Sequence, residues 1–272
     1  MLTNRMLQEV ISSSGTITLR HSRESGVSTS LLEKILAESP AFHCGDTETT
    51  QPFSERNSSL RGPIVQNILN RVPVCYGVQP ELARFLFDSV SKRSRSLETG
   101  AGISTLAFAL RQSTHIAVTP SAEEVAKIRS YAAANQISLD TIEFVTKSSD
   151  EYLPGCEATD LDLVFIHGKH AFPWPIVDWF FTADKLKQNG LMVLDDLEMS
   201  SVSMLADLLR EDPRWQIERS FGSRTLVIKK LTKCVHDVPW HTQPYITRRY
   251  GRRARLRNLV SLTRSAIAKV FP

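Results

Sequence analysis

The chain has 272 residues, of which 42% are hydrophobic, so it is long enough for one large domain with appendages and has the apolar share of a soluble globular protein. No run approaches the ~18 uninterrupted apolar residues of a membrane-spanning helix, and the N-terminus lacks the apolar core of a secretory signal. The net charge is +4, but residues 241–272 hold eight Lys or Arg and no acidic residue, which leaves 25 basic against 29 acidic residues in the rest.

The cysteines indicate a reducing compartment. Cys44, Cys75, Cys156 and Cys234 are far apart and form no C-x-x-C pair. The sequence therefore predicts neither a zinc site nor a redox motif, and we expect reduced thiols in a cytoplasmic protein.

The first 78 residues are polar and are predicted to form a helical or flexible extension. A helix is predicted over Ser30–Glu38, where Leu31, Leu32, Ile35 and Leu36 form an apolar stripe. Two further helices are predicted at Ile64–Leu69 and Pro80–Val90.

From residue 95 onward, strand patterns alternate with helix patterns. The predicted strands are Ser96–Glu98, His115–Thr119, Ile142–Thr146, Leu161–Ile166, Leu191–Leu194, Trp215–Ser220 and Arg224–Leu231. The predicted helices are Ser104–Arg111, Ala122–Asn135, Asp150–Leu153, Pro175–Gln188 and Val202–Arg210. This alternation predicts a doubly wound, mostly parallel α/β sheet, and the turn Phe221-Gly222-Ser223 predicts an antiparallel terminal hairpin.

A glycine-rich turn, Thr99-Gly100-Ala101-Gly102, connects the first predicted strand to the following helix. Glycine lets the backbone approach a ligand closely, and the start of the helix offers unpaired N–H groups. The turn is not the dinucleotide fingerprint, because Thr105 stands where a third glycine is required. Glu98, two residues before Gly100, can bind a ligand amine, cap a helix or form a salt bridge.

Polar residues follow several of the predicted strands. They are Glu98–Gly102, Thr119, Ser148–Ser149, His167–His170 and Asp195–Asp196. Ligands of open α/β sheets bind beyond the carboxyl ends of the strands, near the point where the strand order reverses. We therefore expect these residues to line a common cleft.

Three segments, LETGAGIST, SSDEYLP and LDLVFIHGKHAFPWPIVDWFFTADKLKQNGLMVLDDL, resemble class I S-adenosylmethionine-dependent methyltransferases. Within that class the sequence is similar to small-molecule O-methyltransferases with a D-G-x-H motif after the fourth strand and an acidic pair after the fifth. The resemblance covers about residues 80–231. It implies a seven-stranded Rossmann-like methyltransferase domain over residues 79–232 that methylates a small-molecule or sugar hydroxyl.

The resemblance also implies residue roles. Glu98 would hold the methionine amine of S-adenosyl-L-methionine, the glycine-rich turn would pass under the cofactor, and Ser148 and Ser149 would lie beside the adenine. The complete set of implied cofactor-binding residues is Glu98, Gly100, Ala101, Gly102, Ser104, Thr119, Ser148, Ser149 and His167. His170 is the predicted general base, and a structural or substrate-orienting role is its alternative.

Two positions depart from the family pattern. Thr119 stands where the second strand usually ends in an acid that holds the ribose hydroxyls. His167 replaces the Asp of D-G-x-H, which binds magnesium in metal-using relatives together with the acidic pair, here Asp195 and Asp196. Imidazole suits zinc, iron or nickel better than magnesium. Either the magnesium site is lost, or a softer divalent metal binds, or His167 has another role.

Residues 233–272 are predicted to form a basic amphipathic tail. The part over 248–271 suits an anionic membrane surface, the body of the protein or a second subunit in a homodimer. Nucleic-acid modification is disfavoured because no N/D-P-P-Y/F motif is present. The rival to a methyltransferase is a protein of the same fold that no longer methylates.

Overall fold

The computed structural model describes residues 26–42, 77–239 and 243–251. These residues divide into two compact units. The first comprises 26–42, 77–93, 101–115 and 121–142, and the second comprises 94–100, 116–120, 143–239 and 243–251.

The first unit contains the early helices. They are α1 over residues 26–38, α2 Pro80–Ser89, α3 Ile103–Leu110 and α4 Ala122–Ala134. Leu32 of α1, Phe87 of α2 and Ala107 of α3 form a shared apolar core. The helix expected from Ser30 therefore exists but begins four residues earlier. Ser121 caps α4 by accepting the N–H of Glu124 at 3.2 Å, as the capping pattern predicts.

Seven strands form one sheet. They are β1 Arg95–Thr99, β2 Thr114–Val118, β3 Ile142–Val145, β4 Leu161–Ile166, β5 Leu186–Leu194, β6 Trp215–Phe221 and β7 Thr225–Lys230. The order is β3-β2-β1-β4-β5-β7-β6. β4 is parallel to β1 and β5, and β7 is antiparallel to β5 and β6. The predicted mostly parallel sheet with an antiparallel terminal hairpin is confirmed, and its strand order reverses between β1 and β4.

The core of the second unit lies where its helices pack on the sheet. These helices are α5 Ser149–Tyr152, α6 Trp174–Thr182, α7 Ser200–Glu211 and α8 over residues 244–251. Val164, Met192 and Ile228 of the sheet belong to the same buried cluster as Leu205 and Leu209 of α7. The continuous apolar run of β4 is accordingly buried, which fixes the point from which the following loop leaves the sheet.

The predicted helix Pro175–Gln188 is wrong in its second half, because α6 ends at Thr182 and β5 already begins at Leu186. The β4–β5 register passes from Leu161↔Leu186 to Leu163↔Leu191, so β5 carries extra residues. Asn189 has a φ of +68° there. Asn189-Gly190 therefore marks a bulge within a strand and not the end of a helix, two structures that the same dipeptide permits.

The described part of the basic tail contacts the second unit. Arg248 lies 3.4 Å from a carboxylate oxygen of Glu211 in α7, and Arg249 pairs with the other oxygen. The predicted helix Ile64–Leu69 and the tail beyond residue 251 lie outside the described residues. Within the described ranges no helix is both long and apolar enough to cross a membrane.

Candidate functional site

The backbone crosses very closely at the carboxyl ends of β1 and β4. Gly100 has a φ of +99°, and its N–H donates to the carbonyl of Val118 at 2.8 Å. A Cβ on Gly100 would lie 2.7 Å from the carbonyl oxygen of His167, which is a severe overlap. A Cβ on Gly168 would likewise lie 3.2 Å from Thr99. The two glycines therefore allow the loops after β1 and β4 to lie against each other.

Several predicted cofactor residues surround this crossing within the second unit. Glu98 is buried at the end of β1, and its charge acts on His167. Thr119 is buried after β2, and its N–H donates to the carbonyl of Val145 at 3.0 Å. Ser148 precedes α5 and Ser149 begins it, and both are half-buried. The structure thus places these residues after the carboxyl ends of β1, β2 and β3, of which β3 is an edge strand.

The remaining predicted cofactor residues belong to the first unit, where they open α3. Gly102 precedes the helix, and its N–H donates to the hydroxyl of Thr105 at 2.9 Å. Ala101 and Ser104 are buried. Thr105, which departs from the dinucleotide fingerprint, therefore has a local role in holding the turn.

Two histidines and two aspartates form the polar centre of the second unit. His170 Nε2 lies 3.0 Å from Asp196 Oδ2, although its N–H direction is poorly aligned for a hydrogen bond. His167 Nε2 lies 3.5 Å from Asp196 Oδ2 and 3.7 Å from Asp195 Oδ2. The loop after β4 and the loop after β5 therefore bring all four side chains together, as expected from the sequence.

Arg224 is part of this cluster, and sequence reasoning missed it. Its guanidinium lies 2.8 Å from Asp196 Oδ1 and 3.5 Å from Asp195 Oδ1. Its carbonyl accepts the N–H of Leu197 at 2.9 Å, which fixes its backbone beside the acidic pair. The pairing Leu194↔Leu226 explains the position, because an antiparallel β7 begins beside the carboxyl end of β5. The neighbouring Thr225 hydroxyl donates to Asp195.

The pKa values of His167 and Asp196 indicate different charge states for these two residues. Burial lowers the pKa of His167 even though Asp195 and Asp196 oppose the effect, so His167 is held in its neutral form. Burial alone would raise the pKa of Asp196, but the close approach of His170 and the positive charge of Arg224 outweigh it and leave that pKa below its ordinary value. Asp196 is therefore an ionised acceptor that faces His170.

The backbone of Asp196 is strained. Its φ is +62°, a left-handed conformation that costs a non-glycine residue energy, although Asp tolerates it better than most. The N–H of Met199 donates to the carbonyl of Asp196 at 2.9 Å and holds this conformation. Strain of this kind is characteristic of functional sites, where it fixes the direction of a side chain.

The acidic pair can be tested as a magnesium site. In the part of the chain that the structure describes, His167, Asp195 and Asp196 each offer one ligand atom within 4.8 Å of the others. One ligand is an imidazole, which magnesium disfavours. Arg224 already contacts both carboxylates, and two unit charges 4 Å apart interact by about 4 kcal/mol at an effective dielectric constant of about 20. A divalent ion at the same carboxylates would be repelled by the guanidinium, and one of its three ligands would be an imidazole, so these residues do not fit magnesium.

Asp178 in α6 is a second residue that sequence reasoning missed. Its side chain is fully buried and faces the hydroxyls of Ser149 and Thr99, although neither carboxylate oxygen makes a hydrogen bond of good geometry within the described chain. Burial raises the pKa of Asp178, and the two hydroxyls offset part of the rise. The sequence signal for Asp178 was an acidic residue within an otherwise apolar helix. It was not connected to the site because Asp178 lies eight residues beyond His170, outside the motif.

We predict that Gly100→Ala destabilises the protein more than Gly222→Ala does. Both glycines have positive φ, but at Gly222 no atom of the described chain lies within 4 Å of the added carbon. The overlap with His167 should add about 1–3 kcal/mol to the loss of unfolding free energy. Urea denaturation of both variants measures this difference, and equal losses would show that the backbone crossing is not tight.

We predict that Asp178→Asn gains stability relative to the wild type as the pH rises. The pKa of Asp178 is higher in the folded protein than in the unfolded chain, so the protonated carboxyl stabilises the wild type. This contribution to the free energy of unfolding is fully present below the unfolded pKa and is lost as the pH rises through the folded pKa. Asn does not titrate. Thermal unfolding of both proteins between about pH 4 and pH 8 measures the trend. Asp207→Asn is the control, because Asp207 is an exposed aspartate that pairs with Arg210. If the unfolding temperatures of Asp178→Asn and the wild type change in parallel with pH, the raised pKa of Asp178 is contradicted.

Comparison with known proteins gives a family for the central segment. A family model described as a methyltransferase domain matches residues 97–197, which include every residue of the cluster except Arg224. A comparison with curated proteins gave no significant match.

Solved structures resemble the chain in fold. A methyltransferase from Geobacter sulfurreducens is 16% identical, with 66% of this chain and 96% of that one covered and a TM-score of 0.50. A candidate O-methyltransferase from Klebsiella pneumoniae is 14% identical, with 66% and 96% covered and a TM-score of 0.51. At these identities the likeness shows the fold alone. The chain therefore has the Rossmann-like methyltransferase fold, and the match of the methyltransferase-domain model is confined to residues 97–197.

Proposed function

We propose that the protein transfers a methyl group from S-adenosyl-L-methionine to a hydroxyl of a small molecule, with His170 as the general base. The observation that carries this proposal is the 3.0 Å approach of His170 Nε2 to Asp196 Oδ2 at the carboxyl ends of the central strands. A carboxylate this close to an imidazole favours its protonated form, which a general base must adopt when it takes a proton. The remaining site residues are consistent with a cationic methyl donor.

The charges near the cleft favour such a donor. S-adenosyl-L-methionine carries a positive sulfonium and a positive amine, and both are attracted by a concentration of negative charge. Glu98 supplies a buried carboxylate at the end of β1, beside the turn at Gly100. Half-buried Ser148 and Ser149 offer hydroxyls to the neutral, hydrogen-bonding part of the cofactor. We assign Glu98 to the amine and the two serines to the adenine side.

In the proposed reaction the protein forms no covalent bond to either reactant. When bound, S-adenosyl-L-methionine supplies an electrophilic methyl carbon on a sulfonium leaving group. The protein holds the acceptor oxygen in line with that carbon. Since His170 Nε2 faces Asp196, its Nδ1 is the nitrogen that accepts the hydroxyl proton. Asp196 then stabilises the imidazolium that forms, and the proton leaves to solvent from this partly exposed ring.

A protein of the same fold without methyl transfer is the second candidate. Thr119 favours it, because a single buried hydroxyl replaces a carboxylate that could hold both ribose hydroxyls. His167 favours it as well, because a neutral imidazole replaces a family carboxylate. Calorimetric titration with S-adenosyl-L-methionine and S-adenosylhomocysteine separates the candidates, since a protein that binds neither cannot be a methyltransferase of this type.

We predict that Glu98→Gln weakens S-adenosylhomocysteine binding by about 1.5–3 kcal/mol, the range of a charge-assisted hydrogen bond. Glutamine preserves the shape of the buried side chain and removes its charge. Glu218→Gln is the matched control, since Glu218 lies on β6 and pairs with Lys229 at 2.6 Å. Unchanged affinity in a folded Glu98→Gln protein would rule out the proposed contact with the amine.

We predict that His170→Asn lowers kcat by about 10²–10⁴-fold, the usual contribution of a general base. S-adenosylhomocysteine affinity should stay within error of the wild type, because only proton removal is lost. The measurement is transfer of labelled methyl to a panel of phenols, catechols and sugars. His236→Asn is the control, since His236 contacts Phe180 on the surface. Wild-type kcat in His170→Asn assigns the histidine to a structural role.

A further inference from the structure

Arg224 contacts both carboxylates of the acidic pair, to which the family resemblance assigns a metal ion. We propose that Arg224 is a positioning residue whose guanidinium is the fixed cation of the Asp195–Asp196 pair, so that the pair orients His170 without a divalent ion. The proposal rests on the proposed function for the role of His170. The contact of the guanidinium with both carboxylates stands independently of that function.

The contacts leave few carboxylate oxygens for a metal. Asp196 directs Oδ1 to Arg224 at 2.8 Å and Oδ2 to His170 at 3.0 Å. Asp195 directs Oδ1 to the Thr225 hydroxyl and to the Arg224 side chain. Its Oδ2 lies 3.7 Å from His167 Nε2. A divalent ion on the Oδ2 side, near His167, would therefore face the guanidinium across the same two carboxylates.

The charge of the cluster leads to the same conclusion. Asp195 and Asp196 bring two negative charges into a site where their side chains are 0% and 10% exposed. Arg224 supplies one permanent positive charge at contact distance. The acidic pair thus already has a cation in contact, and the guanidinium would repel a divalent ion brought to the same carboxylates.

The backbone holds Arg224 in place for this role. The N–H of Leu197, directly after the acidic pair, donates to the Arg224 carbonyl at 2.9 Å. The Arg224 N–H donates to the carbonyl of Phe221 at 3.3 Å across the hairpin turn. The hairpin therefore positions the Arg224 guanidinium beside the acidic pair on the side of β7, and His170 lies beside the pair on the side of β4.

The test measures Mn²⁺ binding to the full-length protein by calorimetry and electron paramagnetic resonance. Wild type is expected to show no saturable site up to millimolar Mn²⁺. Arg224→Met, which keeps the length of the side chain and removes its charge, is expected to bind Mn²⁺ at least about tenfold more tightly than wild type, because the repelling charge is gone. Arg210→Met is the control, since Arg210 pairs with Asp207 on the exposed face of α7.

Further variants keep the result interpretable. Arg224→Lys retains the charge and should behave as wild type, whereas Arg224→Gln should behave as Arg224→Met if the latter does not fold. Adding Asp196→Asn to Arg224→Met should abolish the new site. A wild-type protein that binds Mn²⁺ at this pair as tightly as Arg224→Met and Arg224→Gln do overturns the proposal.

The proposed function can fail separately from this inference. S-adenosylhomocysteine affinity is measured in the same samples. A wild-type protein that does not bind S-adenosylhomocysteine rejects the methyltransferase assignment and leaves the Mn²⁺ comparison intact. Normal cofactor binding without tighter Mn²⁺ binding in Arg224→Met or Arg224→Gln rejects the role of Arg224 and leaves the methyltransferase assignment intact. A merely structural ion pair predicts lower stability in Arg224→Met but no gain of a metal site.

Discussion

The close crossing of Gly100 and the His167 carbonyl is the constraint on which the site depends. A side chain at residue 100 would overlap this oxygen, so the loops after β1 and β4 can lie together only with glycine there. Their contact occurs where the strand order reverses, and this point in an open α/β sheet leaves a crevice for ligands. The crossing thereby positions Glu98 and His167 together at the carboxyl ends of β1 and β4.

The acidic pair is the second constraint, because buried carboxylates are costly unless cations and hydrogen bonds compensate them. Asp195 and Asp196 are compensated from three directions: by the histidines after β4, by Thr225, and by Arg224 before β7. Asp196 has a left-handed backbone, and its two oxygens contact different partners, His170 and Arg224. The strain at this residue is supported by the hairpin on one side and by α7 on the other.

The sequence predicts the sheet, the glycine turn and the four members of the His–Asp cluster, because these features follow from local patterns at the carboxyl ends of strands. It does not predict Arg224, whose place depends on the antiparallel register Leu194↔Leu226, and register is a tertiary property. The beginning of β5 was missed because a bulge at Asn189 resembles a helix end. Asp178 was missed because burial of a single acid in a helix is decided by packing, not by periodicity.

The charge of the cluster is set by its own residues. Burial lowers the pKa of His167, so the acidic pair meets a neutral imidazole on the side of β4. Arg224 places a permanent positive charge against both carboxylates from the side of β7. The pair therefore has a cation on its Oδ1 oxygens, while Asp196 Oδ2 lies beside His170, the ring that takes the proton in the proposed reaction. Because buried carboxylates are costly without such compensation, the guanidinium allows the two aspartates to lie next to each other.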